Sequence, residues 1–339
     1  LTKLAIVGEA WGEEEERQQL PFVGASGQEL TRILSDAGID RSQCYLTNVF
    51  NLRPPGGNNI ENLCGSKKDV GKGYPYPMLK QGKYILPQYL SELQRLKKEL
   101  EDVRPNLILA TGNVPTWALL QRTGITAIRG TVSPCVLVAG LKVLPTYHPA
   151  AILRQWDLRH VTVLDCIKAK READYPEIRI PKRRVYVPET PAECRQIVQN
   201  LAAAPELSLD IETVAGQISC VGFAPNKDEA YVFPFIDYTR PGNSYWSTLD
   251  DELHAWACVR DLCGNDSFKV GQNLLYDMQY LWRVYGITVR RVLHDTMLMH
   301  HALQPESPKG LGFLGSVYTN EPAWKVNRPR GKEELKKDD

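Results

Sequence analysis

Asp210 and Glu212 are the residues of this sequence best suited to chemistry. They stand two apart in Leu207-Ser208-Leu209-Asp210-Ile211-Glu212-Thr213, an alternating run that predicts a buried strand. Side chains alternate faces along a strand, so both carboxylates leave it on one side. Two like charges so placed repel by several kcal/mol, as an order of magnitude, unless a positive charge sits between them. An oxygen-only donor pair suits a hard divalent cation, Mg²⁺ or Mn²⁺. A solvated sheet face also carries D-x-E without any metal, so the pair alone decides little. Weight comes from a second segment, Asn273-Leu274-Leu275-Tyr276-Asp277. Leu274, Met278 and Leu281 recur there at helical spacing, and the helix they predict brings Asp277 to the same ions as a third carboxylate. Tyr276 reads as a packing residue. Asp295, beside His294, is a weaker fourth ligand.

The elements that must position these groups alternate along the chain. Apolar runs at 4–7, 45–50 and 107–110 predict strands, and 136–138 with 142–144 a hairpin or paired short strands. Helices are predicted over 27–37, 87–103, 115–120 and 158–171, with a further helix led in by 146–154. Alternating strands and helices imply a largely parallel sheet covered on both faces. The stretch 56–84, rich in Gly, Asn, Lys and Tyr, reads as an inserted loop free to move. The acidic run Glu13 to Arg17 reads as a solvated loop or the first turn of a helix. From 184 on the pattern is richer in strand: 184–187, 207–210, 218–223, 230–234 and 268–270, with helices at 191–201 and 249–262. The shift in composition over 172–188 marks a domain boundary, giving a first domain 1–172, a linker 173–183 and a second domain 184–339.

The 339 residues suffice for two domains, and 43% apolar with 24% charged content is that of an ordinary water-soluble globular chain. A net charge of +1 spreads no global field toward nucleic acid. Attraction to phosphate must come from local clusters such as Lys182-Arg183-Arg184, Arg290-Arg291 and Arg328 to Lys332. The eight cysteines form no C-x-x-C, so no four-ligand zinc site is expected, and reduced thiols imply a cytoplasmic protein. No apolar run approaches the ~18 residues of a membrane span, and no signal peptide opens the sequence. The start at Leu1 reads as a trimmed amino terminus.

The segment 180–325 resembles the 3′–5′ exonuclease of family A, pol I-like DNA polymerases. It carries D-x-E at Asp210 and Glu212 and N-x-x-x-D ending at Asp277. The likeness continues through His294-Asp295-Thr296-Met297 and Leu311-Gly312-Phe313-Leu314 to Trp324-Lys325. The resemblance implies an RNase H-like mixed sheet and two-metal phosphodiester hydrolysis, one ion activating water and the other stabilising the leaving 3′ oxygen. It also implies a fourth carboxylate in a Y-x-x-x-D motif, which does not occur after Trp324. A polymerase domain is expected beyond Asp339. Expected partners are DNA, at single-stranded 3′ ends and primer–template junctions, and replication proteins, with no membrane.

The segment 4–172 resembles the family 4 uracil-DNA glycosylases. The likeness rests on Gly8-Glu9-Ala10-Trp11-Gly12, Pro21-Phe22-Val23-Gly24, Thr47-Asn48-Val49, and His148-Pro149-Ala150-Ala151-Ile152-Leu153-Arg154, in order and at strand ends. It implies a three-layer αβα domain with a parallel central sheet, and a base flipped into a pocket. His148 would donate to uracil O2 and stabilise the departing anion. Phe22 would stack on the pyrimidine, and Asn48 would read its edge. Glu9 would orient water or offset the sugar cation. Arg154 would approach phosphate or fill the vacated stack. Trp11 replaces the family's usual Pro. The family's iron–sulfur cluster is not expected: its first two cysteines would precede Leu1 or are absent, Ile85-Leu86-Pro87 stands where the third would fall, and Cys64 and Cys135 do not restore the spacing. Helix 87–103 is expected to be held by packing instead. The whole is expected to be the amino-terminal part of a phage-type polymerase. Two alternatives stay open: a non-catalytic module that positions DNA, and a stand-alone repair glycosylase–exonuclease.

Overall fold

The computed structural model describes residues 3–322. It opens with β1 (Leu4–Ala10), α1 (Glu13–Gln18), α2 (Ala25–Asp36) and β2 (Tyr45–Phe50). An insertion follows, with β3 (Cys64–Gly65), α3 (Lys67–Val70) and β4 (Tyr84–Ile85). Next come α4 (Ser91–Val103), β5 (Leu107–Thr111), α5 (Asn113–Leu120), α6 (Ile125–Ile128) and β6 (Ser133–Pro134). β7 (Lys142–Thr146), α7 (Pro149–Ile152) and α8 (Leu158–Glu172) complete the run.

These strands form one sheet in the order β2-β1-β5-β7-β6, parallel except for β6 at the edge. Strand alternation sorts its side chains into two cores. Leu4 and Ile6 face α2, α7 and α8 with Leu30, Ile33 and Ile152. Ala5 and Val7 face the opposite way, toward Leu93, Leu96 and Trp117 of α4 and α5. The result is the three-layer αβα arrangement. The chain leaves β1 to one side for β2 and then fills the other side with β5 and β7. That reversal leaves a crevice at the carboxyl ends of β1 and β5, where open α/β sheets bind ligands.

Two expectations change here. The insertion 56–84 is anchored: β3 and β4 pair, Leu63 and Ile85 are fully buried, and the Trp117 indole donates to Pro77 O at 2.8 Å. Its apolar residues are too irregularly spaced to show a period. The hairpin at 136–138 is shifted to β6, because Val136 N donates to Leu119 O instead of to a strand.

The second unit holds β8 (Arg184–Tyr186), α9 (Pro191–Leu201), β9 (Glu206–Val214), β10 (Gln217–Ala224) and β11 (Glu229–Pro234). It continues with α10 (Leu249–Gly264), β12 (Phe268–Gly271), α11 (Leu274–Tyr285), β13 (Val292–Asp295) and α12 (Thr296–Leu303). The sheet order is β13-β12-β9-β10-β11-β8. β10 runs antiparallel to its neighbours β9 and β11, whereas β12 and β13 run parallel to β9, giving the mixed RNase H-like sheet. One core joins Leu207, Leu209 and Ile211 of β9 to α9, α10 and α11.

Contacts divide the described residues into 3–180 with 312–322, and Pro181–Leu311. The sequence reading gave everything from 184 onward to the second domain, whereas 312–322 groups with the first. The last helix, α13 (Leu311–Tyr318), is drawn there by buried polar partners. Lys168 Nζ donates to Gly130 O, Ser316 O and Thr319 O at 2.7, 3.0 and 2.7 Å. Arg129 pairs with Asp165, donates to Ser316 Oγ at 3.0 Å and lies 5.2 Å from the centroid of the Phe313 ring. Among the described residues no helix is long and apolar enough to cross a membrane. Trp324, Lys325 and the basic cluster Arg328 to Lys332 lie outside the described residues.

Candidate functional sites

A cavity of about 540 Å³ opens at the carboxyl ends of the first sheet, lined by Glu9, Trp11, Phe22, Asn48, His148 and Arg154 among others. The sequence motifs meet there because β1, β2 and β7 all end at this edge. Gly8 permits the closest approach. A Cβ on it would stand 2.1 Å from Asn48 Oδ1 and 2.6 Å from Phe22 Cζ. Phe22 takes a left-handed φ of 57° and is buried. Arg41 fixes that turn, donating to Phe22 O at 2.7 Å and Gly27 O at 2.8 Å. The Phe22 and His148 rings stack 6.4 Å apart at 26°.

His148 caps α7, its Nδ1 accepting from Ala150 N at 3.1 Å. The proton of the neutral ring therefore sits on Nε2. Burial, helped by the Arg154 charge, pushes the imidazole down to about 4 against a slight opposing pull from Glu15. His148 is thus a neutral donor at neutral pH. Burial pushes Glu9 up to about 7, and Arg154 partly offsets this. Asn48 is buried, and its backbone carbonyl accepts from Arg95 Nη2 at 2.8 Å. The Trp11 indole N–H is buried without an acceptor among the described residues.

Two sets of residues escaped the sequence reading. Glu15, inside the supposedly solvated acidic run, is buried and accepts from Gly12 N at 3.1 Å and Gly24 N at 2.8 Å. It ties the Glu9 loop to the Phe22 loop. Arg95 and Glu99 of α4 hold the end of β2, with Thr47 Oγ1 donating to Glu99 at 2.8 Å. The signal for Glu15 was its position three residues after Gly12, the spacing of a capping box.

The residues near β4 do not fit an iron–sulfur cluster. Ile85 is fully buried among Leu63 and Leu93, while the Cys64 and Cys135 thiols donate to Ile60 O and Leu119 O.

In the second unit Asp210 and Glu212 lie on the exposed face of β9, and Leu209 and Ile211 on the buried one. β12 pairs with β9 only as far as Ser208. The next unpaired amide on that side, Ile211 N, donates to Asp277 Oδ1 at 2.9 Å. A side chain thus completes the ladder where the partner strand ends, and Asp277 is anchored to β9 within reach of the Asp210 charge. Burial pushes Asp277 up to about 6; the Ile211 N–H pulls it down, and the charges of Asp210 and Asp295 raise it further. Asp295 is occupied as a clamp. It accepts from Asn273 N, Leu274 N and Met297 N at 3.0, 2.8 and 2.9 Å, joining the start of α11 to the start of α12. Tyr276 Oη lies 3.3 Å from Thr213 Oγ1. Among the described residues no three His, Cys, Asp or Glu side chains are gathered closely enough to hold a metal ion. The donor chemistry nonetheless fits one: three carboxylates, two on one strand face and the third anchored beside them.

Residues 1–170 match the family described as Uracil DNA glycosylase superfamily, which is half of the chain. The chain belongs to the uracil-DNA glycosylase superfamily. Among curated relatives, the type-4 uracil-DNA glycosylase of Thermotoga maritima is 32% identical over 173 residues, 50% of this chain and 77% of that protein. That of Archaeoglobus fulgidus is 32% identical over 163 residues, 46% and 70% respectively. Residues 185–332 match the family described as 3'-5' exonuclease, so this glycosylase-superfamily chain is fused to a 3′–5′ exonuclease domain. A DNA polymerase of Bacillus phage SP01 is 23% identical over 219 residues, covering 62% of this chain and 21% of the polymerase. The solved structure of Trypanosoma brucei RNase D with RNA U12 aligns at 19% identity and TM-score 0.33, over 44% of this chain and 56% of that one. Escherichia coli RNase D aligns at 13% and 0.31, over 42% and 34%.

Proposed function

We propose that the chain serves DNA replication as a proofreading segment of a DNA polymerase. In this reading its exonuclease trims DNA 3′ ends, while its glycosylase-like cavity receives and excises a flipped uracil. The observation that carries the reading is the His148 tautomer: a half-buried, neutral imidazole with its Nε2 proton available in the cavity that also holds Asn48, Phe22 and Glu9.

As the bond between uracil N1 and the sugar breaks, its electron pair stays on the base. The Nε2–H of His148 donates to the uracil O2 that takes up this charge. A neutral donor needs no proton transfer to do so. Asn48 offers both a donor and an acceptor to the pyrimidine edge, and Phe22 stacks on its face. Glu9, ionised in about half the molecules near pH 7, orients the attacking water or balances the sugar cation.

In the second unit Asp210, Glu212 and Asp277 would hold a divalent cation, Mg²⁺ or Mn²⁺, which supplies activation of water and neutralises phosphate charge. The anchor from Ile211 N to Asp277 keeps the buried carboxylate in place, and Asp295 fixes the helix start that carries it. The placement beside a polymerase is supported by the phage polymerase likeness.

The test uses the whole chain with a uracil-containing strand and a 3′-labelled strand, each with and without EDTA. Base release that survives EDTA and 3′ shortening that does not are the expected results. Asp210→Ala should abolish the shortening and spare the base release. Uracil binding with no base release would reduce the first unit to a DNA-positioning module, and undiminished trimming by Asp210→Ala would refute the carboxylate assignment.

A further inference from the structure

Trp156 presents its indole to solvent at 66% exposure just beyond the His148 loop. Leu153, at 50%, stands with Arg154 on the cavity wall. Single exposed apolar residues are common and need no explanation. Trp156 differs because its ring is propped. The Arg159 guanidinium lies 5.1 Å from the ring centroid. That guanidinium is itself fixed, donating to Glu29 Oε1 at 2.8 Å and Asp36 Oδ2 at 2.6 Å. Glu29 is buried, so the prop is rooted in the fold. A ring ordered before binding loses little freedom on binding.

The prop also fixes the distance to the cavity. Glu29 and Asp36 lie on α2, whose amino end, Ala25 and Ser26, lines the cavity. At 1.5 Å per residue they stand roughly 6 and 16 Å along the helix from Ala25. That is about two to five stacked nucleotides of a DNA strand at 3.4 Å each. The α2 face between them carries Gln28, Thr31, Arg32 and Ser35, polar groups suited to a backbone passing over them.

We propose that Trp156 is a base-stacking platform for the DNA strand flanking the nucleotide that enters the first unit's cavity. This rests on the cavity receiving a DNA nucleotide. Stacking uses the π-face that every base has, so the platform adds affinity without reading sequence. Arg159 acts through Trp156, as a positioning residue.

The experiment measures binding of the whole chain to two fluorescently labelled single strands that differ only in carrying uracil or thymine at one position. Trp156→Ala should weaken binding to both strands by about tenfold, the loss of one stacked base. Trp156→Phe, which keeps a ring, should stay within about twofold of the parent. Both variants should keep the parent's melting temperature, because the side chain is mostly exposed. Trp156→Ala binding as tightly as the parent, or Trp156→Phe falling as far as Trp156→Ala, overturns the platform. Failure of the uracil reading looks different: the parent would bind both strands equally and His148→Asn would change neither, while the Trp156 comparison on the thymine strand would still be read.

Discussion

Two half-buried groups in the glycosylase-like cavity titrate in opposite senses, and their pairing has a measurable signature. Glu9 holds its proton up to about 7 against an ordinary 4.5, so between those values the native state binds a proton that the unfolded chain has released. Stability therefore falls as pH rises through that window. His148 drops from 6.5 to about 4, so over that range the unfolded chain binds a proton that the native state refuses, and stability rises with pH. The two slopes cancel where the windows overlap. Glu9→Gln should unmask the histidine, stability rising by about 1.4 kcal/mol per pH unit. His148→Asn should unmask the glutamate with the reverse slope. Urea denaturation of the parent and both variants from pH 4.5 to 6.5, the overlap of those two windows, checks this; parallel lines would refute the burial of either group.

Among elements, α13 shows how far a short helix can depend on buried charges distant from it in the sequence. Arg129 and Asp165 are both nearly fully buried, and Asp165 Oδ2 also accepts from Thr146 Oγ1 at 2.8 Å. Arg129→Met leaves that carboxylate buried without its main partner and should destabilise the first unit by about 3–5 kcal/mol. Calorimetry would register the loss, and the double variant with Asp165→Asn should recover part of it. None of this was legible in the sequence. Arg129, Asp165 and Ser316 come from distant positions, and pairs of that kind leave no local period. The same is true of the Arg95 network at the end of β2, whereas Glu15, hidden in an acidic run, left only its spacing from Gly12 as a sign. What was legible were the local patterns: the alternation that put Asp210 and Glu212 on one face of β9, the glycine-rich strand ends of the first unit, and the apolar stripe Leu93, Leu96, Leu100 of α4. The position of Asp277 was half legible. Its helix followed from spacing, but its hold on Ile211 N follows from where β12 stops pairing, a property of the folded sheet.

At the level of the whole molecule, the proposed function puts two chemistries of different kinds on one polypeptide. Excision of a base asks for neutral donors in a dry cavity, whereas trimming a 3′ end asks for bare carboxylates and cations. The two should therefore fail independently. His148→Asn should lower base release by about 10²–10³-fold, the effect of losing one donor to a developing anion, and leave 3′ shortening untouched. EDTA should do the opposite. Parallel assays of both reactions on one preparation would settle it, and loss of both in either arm would contradict the division of labour.

The three carbonyls around the Lys168 ammonium have a practical corollary. Since two of them come from 316 and 319, a single protease nick at 181–183 severs the peptide yet spares the plug that carries those oxygens. The nicked fragments should co-elute on gel filtration and part company only in denaturant, whereas Lys168→Met should let them drift apart under mild conditions.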